Sequence, residues 1–255
     1  MFDFPDIPKT EYKRTFLRSS IFNIEFDYVI EWENHIEEIS KLFKENFFIN
    51  NREETNFLSS RDKSKEINIE KHNKTIEFKS KDGLNVIAFE NNVLAIVLHG
   101  KSYKSFNSFR TIFGEVEILL KNELSNYQIK RLSERKVNII DFTLNDNNGA
   151  ITLKQLLNSE LVGSIDYIPN INYIKQSINS IVFEKDEASL NIKYGYNKIN
   201  DSIGQIILDL TMFTGLNTIS NKNLIDTFSD INTELYRAFN WAITDDYKEI
   251  MKSDE

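Results

Sequence analysis

The 255-residue sequence has no cysteine, three prolines, eight glycines and three histidines. Without cysteine the chain forms no disulfide, offers no thiolate ligand and has no cysteine nucleophile. The scarcity of proline and glycine excludes the collagen-like and low-complexity classes. The histidines, His35, His72 and His99, lie far apart, unlike the short histidine spacings of zinc sites. We therefore predict no metal and no cofactor.

Long hydrophobic runs are also missing. The longest apolar run, Val93–Leu98, has the length of a strand, whereas a membrane-spanning helix needs about 20 apolar residues. Residues 1–14 are polar and lack the apolar core of a signal peptide. Hydrophobic residues make up 40% of the chain, which is typical of a folded protein rather than a disordered one. We expect a cytoplasmic protein that does not enter a membrane.

Basic residues are outnumbered by acidic ones, and they are unevenly distributed. The chain has 31 lysines and arginines against 39 aspartates and glutamates, a net charge of -8, which disfavours general binding to a phosphate backbone. Residues 101–136 nevertheless carry more basic than acidic side chains. Two interpretations of this segment stay open: the basic solvent faces of a helix and a strand, or a contact surface for an anionic partner.

Apolar spacing predicts the secondary structure of the first third of the chain. Apolar residues at every second position predict a strand over Phe22–Ile30. A helix is predicted next, with Asn34 as its N-cap and an apolar stripe that ends at Phe47. Residues 50–66 are polar and without period, which predicts a long surface loop.

Two similar runs of elements follow. The first has three short strands between residues 75 and 98 and then a helix that includes Phe109–Leu120. The second has three strands between residues 177 and 212 and then a helix from about Asp226. Thr244 is predicted to cap a last short helix.

The short connections between these strands favour antiparallel pairing. We therefore predict the α+β class with two similar antiparallel-sheet-plus-helix halves, each a three-stranded meander followed by a helix. The halves are residues 1–145 and 150–255, on either side of a candidate linker at Asp146–Gly149. Periodicity leaves open whether they form one continuous domain.

The catalytic motifs that the sequence approaches are incomplete. His99-Gly100-Lys101-Ser102 resembles the end of a phosphate-binding loop, but Ala95 stands where the first glycine is required. No two glycines have the spacing of a serine-hydrolase elbow. Glu77-Phe78-Lys79 matches only the E-x-K half of a metal-dependent nuclease signature. We predict no catalytic residue.

One segment carries a family resemblance. Arg131-Leu132-Ser133-Glu134-Arg135-Lys136-Val137-Asn138-Ile139-Ile140 has the form R-L-x-x-R-x-x-N-x-I. It resembles the central segment of a sporadically distributed bacterial and archaeal family of about this length and of unknown function. The resemblance singles out Arg131, Arg135 and Asn138, and it implies genes carried on mobile islands such as defence or toxin–antitoxin modules. It implies no catalytic residues.

We accordingly predict a non-enzymatic protein-binding or regulatory component that uses the basic segment to contact another protein. The alternative is a nucleic-acid-acting effector that uses the basic segment 101–136, either a nuclease with Glu77 and Lys79 or a nucleic-acid-binding module. A third hypothesis is a small-ligand binder with a cavity between the sheet and the long helix. A plainer interpretation is that the arginines pair with carboxylates of the same chain. The oligomeric state stays open. The predicted partner-binding residues are Lys101, Lys104, Arg110, Lys130, Arg131, Arg135 and Asn138.

Overall fold

The fold is taken from a computed structural model of the chain. It describes residues 2–6, 10, 12–13, 15–59, 68–143, 153–162, 174–215 and 223–253, with the backbone alone for 50–59 and 68–74.

One antiparallel sheet of nine strands forms the framework of the described residues. Its strand order is β2-β3-β4-β5-β1-β6-β9-β8-β7, and all neighbouring strands are antiparallel. The strands are β1 (Leu17–Phe26), β2 (Phe47–Ser59), β3 (Asn68–Ser80), β4 (Asn85–Glu90), β5 (Val93–His99), β6 (Ile129–Thr143), β7 (Gln176–Lys185), β8 (Ala188–Lys198) and β9 (Ile203–Thr214).

The prediction of two halves, each with its own three-stranded meander and helix, is wrong. β1 and β6 pair from Leu17 opposite Asn138 to Phe26 opposite Ile129, and this pairing joins the strands of both regions into one sheet. Periodicity reports which face of a strand is buried, whereas sheets join through backbone groups at their edges. The sequence pattern therefore could not predict that the strands of both regions form one sheet.

The predicted domain boundary stays a prediction. The candidate linker Asp146–Gly149 lies outside the described residues.

The predicted loop at residues 50–66 is wrong over most of its length. β2 continues to Ser59 and pairs with β3 along its whole described length, and Phe47 belongs to this strand rather than to the preceding helix. β2 lies at an edge of the sheet, where polar and charged residues are tolerated because only one side needs a backbone partner. Such a strand lacks the apolar alternation that predicts a strand.

The helices pack on one face of this sheet. Phe22 of β1 stacks on Phe109 with ring centroids 3.8 Å apart, and it meets Phe228 edge-on at 5.6 Å. Phe113 and Phe228 join the same aromatic cluster, so two long helices bury their apolar stripes against the centre of the sheet. A 3₁₀ turn at Trp32–His35 precedes α1 (Ile36–Phe43), followed by α2 (Phe106–Asn122), α3 (Ser159–Val162), α4 (Leu224–Ala242) and α5 (Asp245–Lys252).

Side-chain caps fix the starts of the last two helices. The Asn223 side chain accepts a hydrogen bond from the Asp226 amide at 2.8 Å. Thr244 Oγ1 accepts one from the Tyr247 amide at 3.2 Å, which confirms the predicted cap of α5. Asn34, by contrast, lies in the 3₁₀ turn and caps no helix. None of the described helices is both long enough and apolar enough to cross a bilayer.

The Phe22 cluster yields the first prediction. Phe22→Ala removes a fully buried ring at the junction of β1, α2 and α4, and the cavity left behind lowers the free energy of unfolding by about 3–5 kcal/mol. Chemical denaturation followed by circular dichroism measures this change. Ile118→Ala is the control, because Ile118 lies on α2 with 49% of its surface exposed, and its effect stays within about 0.5 kcal/mol. Equal effects of the two variants would contradict the packing described here.

Candidate functional site

The sheet has a second face, opposite the packed helices. Ser20, Phe22, Ile24 and Phe26 of β1 are buried on the helix side, so the two-residue period of the strand turns the odd-numbered residues of β1 to the other side. The helices of the described residues pack on the first side. We call the other side, continued across the neighbouring strands, the helix-free face.

Apolar side chains form a patch on the helix-free face, centred on β4, β5 and β1. Val86, Val97 and Ile21 are aligned across β4, β5 and β1, and Ala88 and Ala95 form the next row. A contiguous apolar area on a protein surface marks an interaction site more often than scattered apolar residues do. The half-buried apolar residues of this face are Ile21, Val86, Ala88, Val93, Ala95, Val97, Val137, Ile139, Ile207 and Phe213.

Two arginines border the patch, each held by a carboxylate. Arg131 donates hydrogen bonds from Nε and Nη2 to Glu25 Oε2, with Nε at 2.9 Å, and its guanidinium lies 4.7 Å from the centre of the Phe213 ring. Arg135 forms a bidentate pair with Asp209, at 2.9 Å from Nε and 2.6 Å from Nη2. The hydrogen bonds to Asp209 raise the pKa of Arg135. Both guanidinium groups are thereby fixed in orientation.

The R-L-x-x-R-x-x-N segment lies in β6 rather than in an extension of the preceding helix. Arg131 and Arg135 are four residues apart and share a face because a strand repeats every two residues. Asn138 is buried, and its side-chain amide donates to the Leu208 carbonyl oxygen at 3.1 Å. Asn138 therefore joins β6 to β9 and is not presented to a partner.

Of the remaining predicted basic residues, Lys130 joins these arginines, whereas Lys101, Lys104 and Arg110 lie elsewhere. Lys130 lies beside Arg131 and also reaches Glu25, at 3.3 Å. Lys101 and Lys104 are exposed between β5 and α2, at the end of the sheet where His99 is opposite Ser19. Since Arg131 is opposite Glu25, the two groups are about 20 Å apart along β1. Arg110 lies on α2, with its guanidinium 5.9 Å from the Phe106 ring centre.

The glycine of the incomplete phosphate-loop motif has a structural role. The Gly100 amide donates to the Arg18 carbonyl oxygen at 2.8 Å. A β-carbon at Gly100 would lie 1.7 Å from the Leu17 carbonyl oxygen, so only glycine allows β1 to approach so closely.

A depression of about 360 Å³ interrupts the apolar patch. Its floor consists of Asn23, Ala88 and Ala95, whose small side chains leave room above the sheet. Glu90 and Val93 are part of its rim, and Glu25 follows Val93 in the same cross-strand row. The depression therefore has the small side chains of Ala88 and Ala95 at its floor, asparagines around them and the Glu90 carboxylate at one side.

On the helix side, a polar cluster is enclosed within the core. Glu134 is completely buried, and its Oε1 accepts a hydrogen bond from Ser20 Oγ at 3.1 Å and lies 3.5 Å from Lys136 Nζ. Lys136 also donates to Asn232 of α4 at 2.6 Å, and the Tyr103 hydroxyl donates to the same oxygen at 2.9 Å. The cluster thus connects the two central strands to α4 and to the residues before α2.

Burial governs the ionisation of this cluster. Desolvation raises the pKa of Glu134, while Lys136 and Ser20 act in the opposite direction. Desolvation and the nearby Glu134 raise the pKa of Tyr103. Sequence reasoning passed over Glu134, although one signal was present: Glu134 and Lys136 continue the two-residue phase of Leu132, a core position of β6.

The candidate nuclease pair lies on the helix-free face. Lys79 Nζ is 3.0 Å from Glu77 Oε2, so the carboxylate is engaged by a cation of its own strand. Within the described ranges, histidine and carboxylate side chains form no group of three that could hold a metal ion.

Neither a protein-family model nor a curated protein matches the chain. The family resemblance of the Arg131–Ile140 segment therefore stays a prediction.

The second prediction concerns Glu134. Its pKa in the folded protein is raised above the ordinary value of 4.5, so the folded state binds more protons than the unfolded state at pH values between the two. The free energy of unfolding therefore falls as the pH rises through this interval. Glu134→Gln removes the titration. Its stability relative to wild type is expected to rise as the pH increases from 4.5, measured by urea denaturation at several pH values. Parallel curves for the two proteins would contradict the raised pKa.

Proposed function

We propose that this protein binds another protein through the helix-free face and works as a non-enzymatic regulatory component in the cytoplasm. A role in a mobile defence or toxin–antitoxin-type module agrees with the family resemblance. The observation that carries the proposal is the apolar patch formed by Val86, Val97 and Ile21 on the helix-free face, with Arg135 directly opposite Ile21 and held by Asp209.

The chemistry of this face favours a protein over a nucleic acid. A phosphate backbone is bound by lysines and arginines that exchange counterions for phosphates. Here Arg131 and Arg135 are already bound to Glu25 and Asp209, and Lys79 to Glu77. Protein interfaces combine apolar area with aromatic and arginine side chains, which is the composition around Phe213.

The depression supports a partner that inserts a basic side chain with apolar neighbours. The Glu90 carboxylate is half-buried at its rim, and among the residues whose side chains are described it has no hydrogen-bond or ion-pair partner. A lysine or arginine of the partner would supply that pair. The small floor at Ala88 and Ala95 would take its aliphatic stem.

The third prediction tests this occupant. A photo-reactive benzoylphenylalanine placed at Ala95, on the floor of the depression, is expected to cross-link one defined protein in cells that express the chain. The same group at Ile118, exposed on α2, is the matched control and should cross-link no such protein.

The captured protein is then purified, and its affinity is measured by calorimetry. The arginine introduced by Ala95→Arg fills the depression and pairs with the Glu90 carboxylate. We therefore expect the affinity for the captured protein to fall by at least about tenfold, whereas Ile118→Arg leaves that affinity unchanged. An equal affinity for wild type and Ala95→Arg would contradict the proposal. Metal-dependent cleavage of DNA or RNA by the wild-type protein, lost in Glu77→Ala, would contradict the protein-binding proposal and support the nuclease alternative.

A further inference from the structure

The two edges of the sheet differ in how they are protected. The β2 edge carries charged residues in mid-strand, with Arg52, Glu53 and Glu54 in succession. Charged residues along an edge disfavour pairing with another sheet. The β7 edge has no charged residue from Gln176 to Phe183 and no proline, so nothing in its sequence opposes the addition of a strand.

The outer side of β7 has free backbone groups within the described part of the chain. β7 pairs with β8 alone. Lys198 donates its amide hydrogen to the Lys175 carbonyl oxygen at 2.8 Å, and the register continues without a break from Gln176 to Lys185. Antiparallel strands alternate their backbone groups between the two sides, so the even-numbered residues of β7 direct their amides and carbonyls outward.

The same residues expose apolar side chains. Ile178 and Val182 are 41% and 55% exposed, and both lie on the helix-free face with Ser180 between them. Their separation is self-complementary, because an antiparallel copy centred on Ser180 brings Ile178 of each strand opposite Val182 of the other.

We propose that two copies of this chain associate through β7, antiparallel about a two-fold axis at Ser180, to form one continuous sheet. The register places outward backbone groups opposite outward backbone groups, and it places apolar side chains opposite apolar side chains. No like charges from Gln176 to Phe183 oppose one another, since that stretch has none. Outside that stretch, the register sets Lys185 of each copy opposite Lys175 of the other, and Lys185 Nζ lies 3.5 Å from the Asp3 carboxylate. A second copy therefore satisfies the edge from Gln176 to Glu184.

Sedimentation equilibrium is the first test. Wild type is expected to have twice the mass of one chain at micromolar concentration. Val182→Lys would place a desolvated charge against Ile178 of the other copy, so we expect its dissociation constant to rise by at least about tenfold. Ile118→Lys, an equivalent change on the exposed side of α2, is the control and stays dimeric. Circular dichroism verifies that each variant is folded.

The register itself is tested by exchanging charges. Ile178→Glu and Val182→Lys are each expected to be monomeric, but their mixture restores a dimer. In the mixed dimer the introduced carboxylate of one copy faces the introduced ammonium group of the other, while the second contact of the pair keeps its native side chains. Restoration of the mass only on mixing identifies this register.

The absence of cysteine from the chain permits a third measurement. A single Ser180→Cys lies next to its counterpart at the axis, at a Cα separation of about 5.5 Å, which a disulfide can span. Oxidation is expected to yield a covalent dimer, whereas Ile118→Cys does not. A monomeric wild type at all concentrations, or a dimer that Val182→Lys leaves intact, would overturn the proposal. Neither result bears on a partner at the helix-free face.

Discussion

The pairing of β1 with β6 is the interaction on which the rest of the structure depends. Each of these strands has its other edge occupied, β1 by β5 and β6 by β9. The pair therefore converts two sets of hairpins into one sheet. It also brings α2 and α4 together over the same central strands, where Phe22, Phe109 and Phe228 share one cluster. Within the described residues, these helices therefore pack on one side of the sheet, and none of the contacts described places a helix on the other.

The same pairing explains why a carboxylate is found in the core. Ser20 is directly opposite Lys136, and the next pair on the same face is Phe22 opposite Glu134, so the hydrogen bond from Ser20 to Glu134 runs diagonally across the two strands. A buried charge is costly unless it is paired, and Lys136 is itself held by Asn232 of α4. One Glu134 oxygen nevertheless has no hydrogen bond. The hydrogen bonds that the cluster does make require this register of β1 and β6 and this position of α4.

Local patterns predicted the elements whose residues alternate between core and solvent, and failed where stability comes from backbone edges. Ile24 and Phe26 indicate β1, and Thr244 with two following aspartates indicates α5. The charged run from Arg52 to Glu54 gives no such signal, because it has no apolar alternation, and only the backbone ladder to β3 reveals it as part of a strand. For the basic residues, the sequence indicated that arginines would meet carboxylates. Glu25 and Asp209 as the actual partners required the three-strand register around Arg131 and Arg135.

The proposed β7 contact and the helix-free face are related by geometry. A two-fold axis perpendicular to a sheet leaves each face on its own side, so the helix-free faces of a β7-linked dimer form one side of a continuous, twisted sheet. The depression lies on β1, β4 and β5, and β5, the middle strand of these three, is separated from β7 by β1, β6, β9 and β8. The two depressions would thus be separated by about eleven strand spacings, or about 50 Å along the sheet. A partner with two copies of its own docking segment would bind both depressions at once, and so gain affinity, only if those segments span a similar distance. The width of the sheet would therefore select among divalent partners.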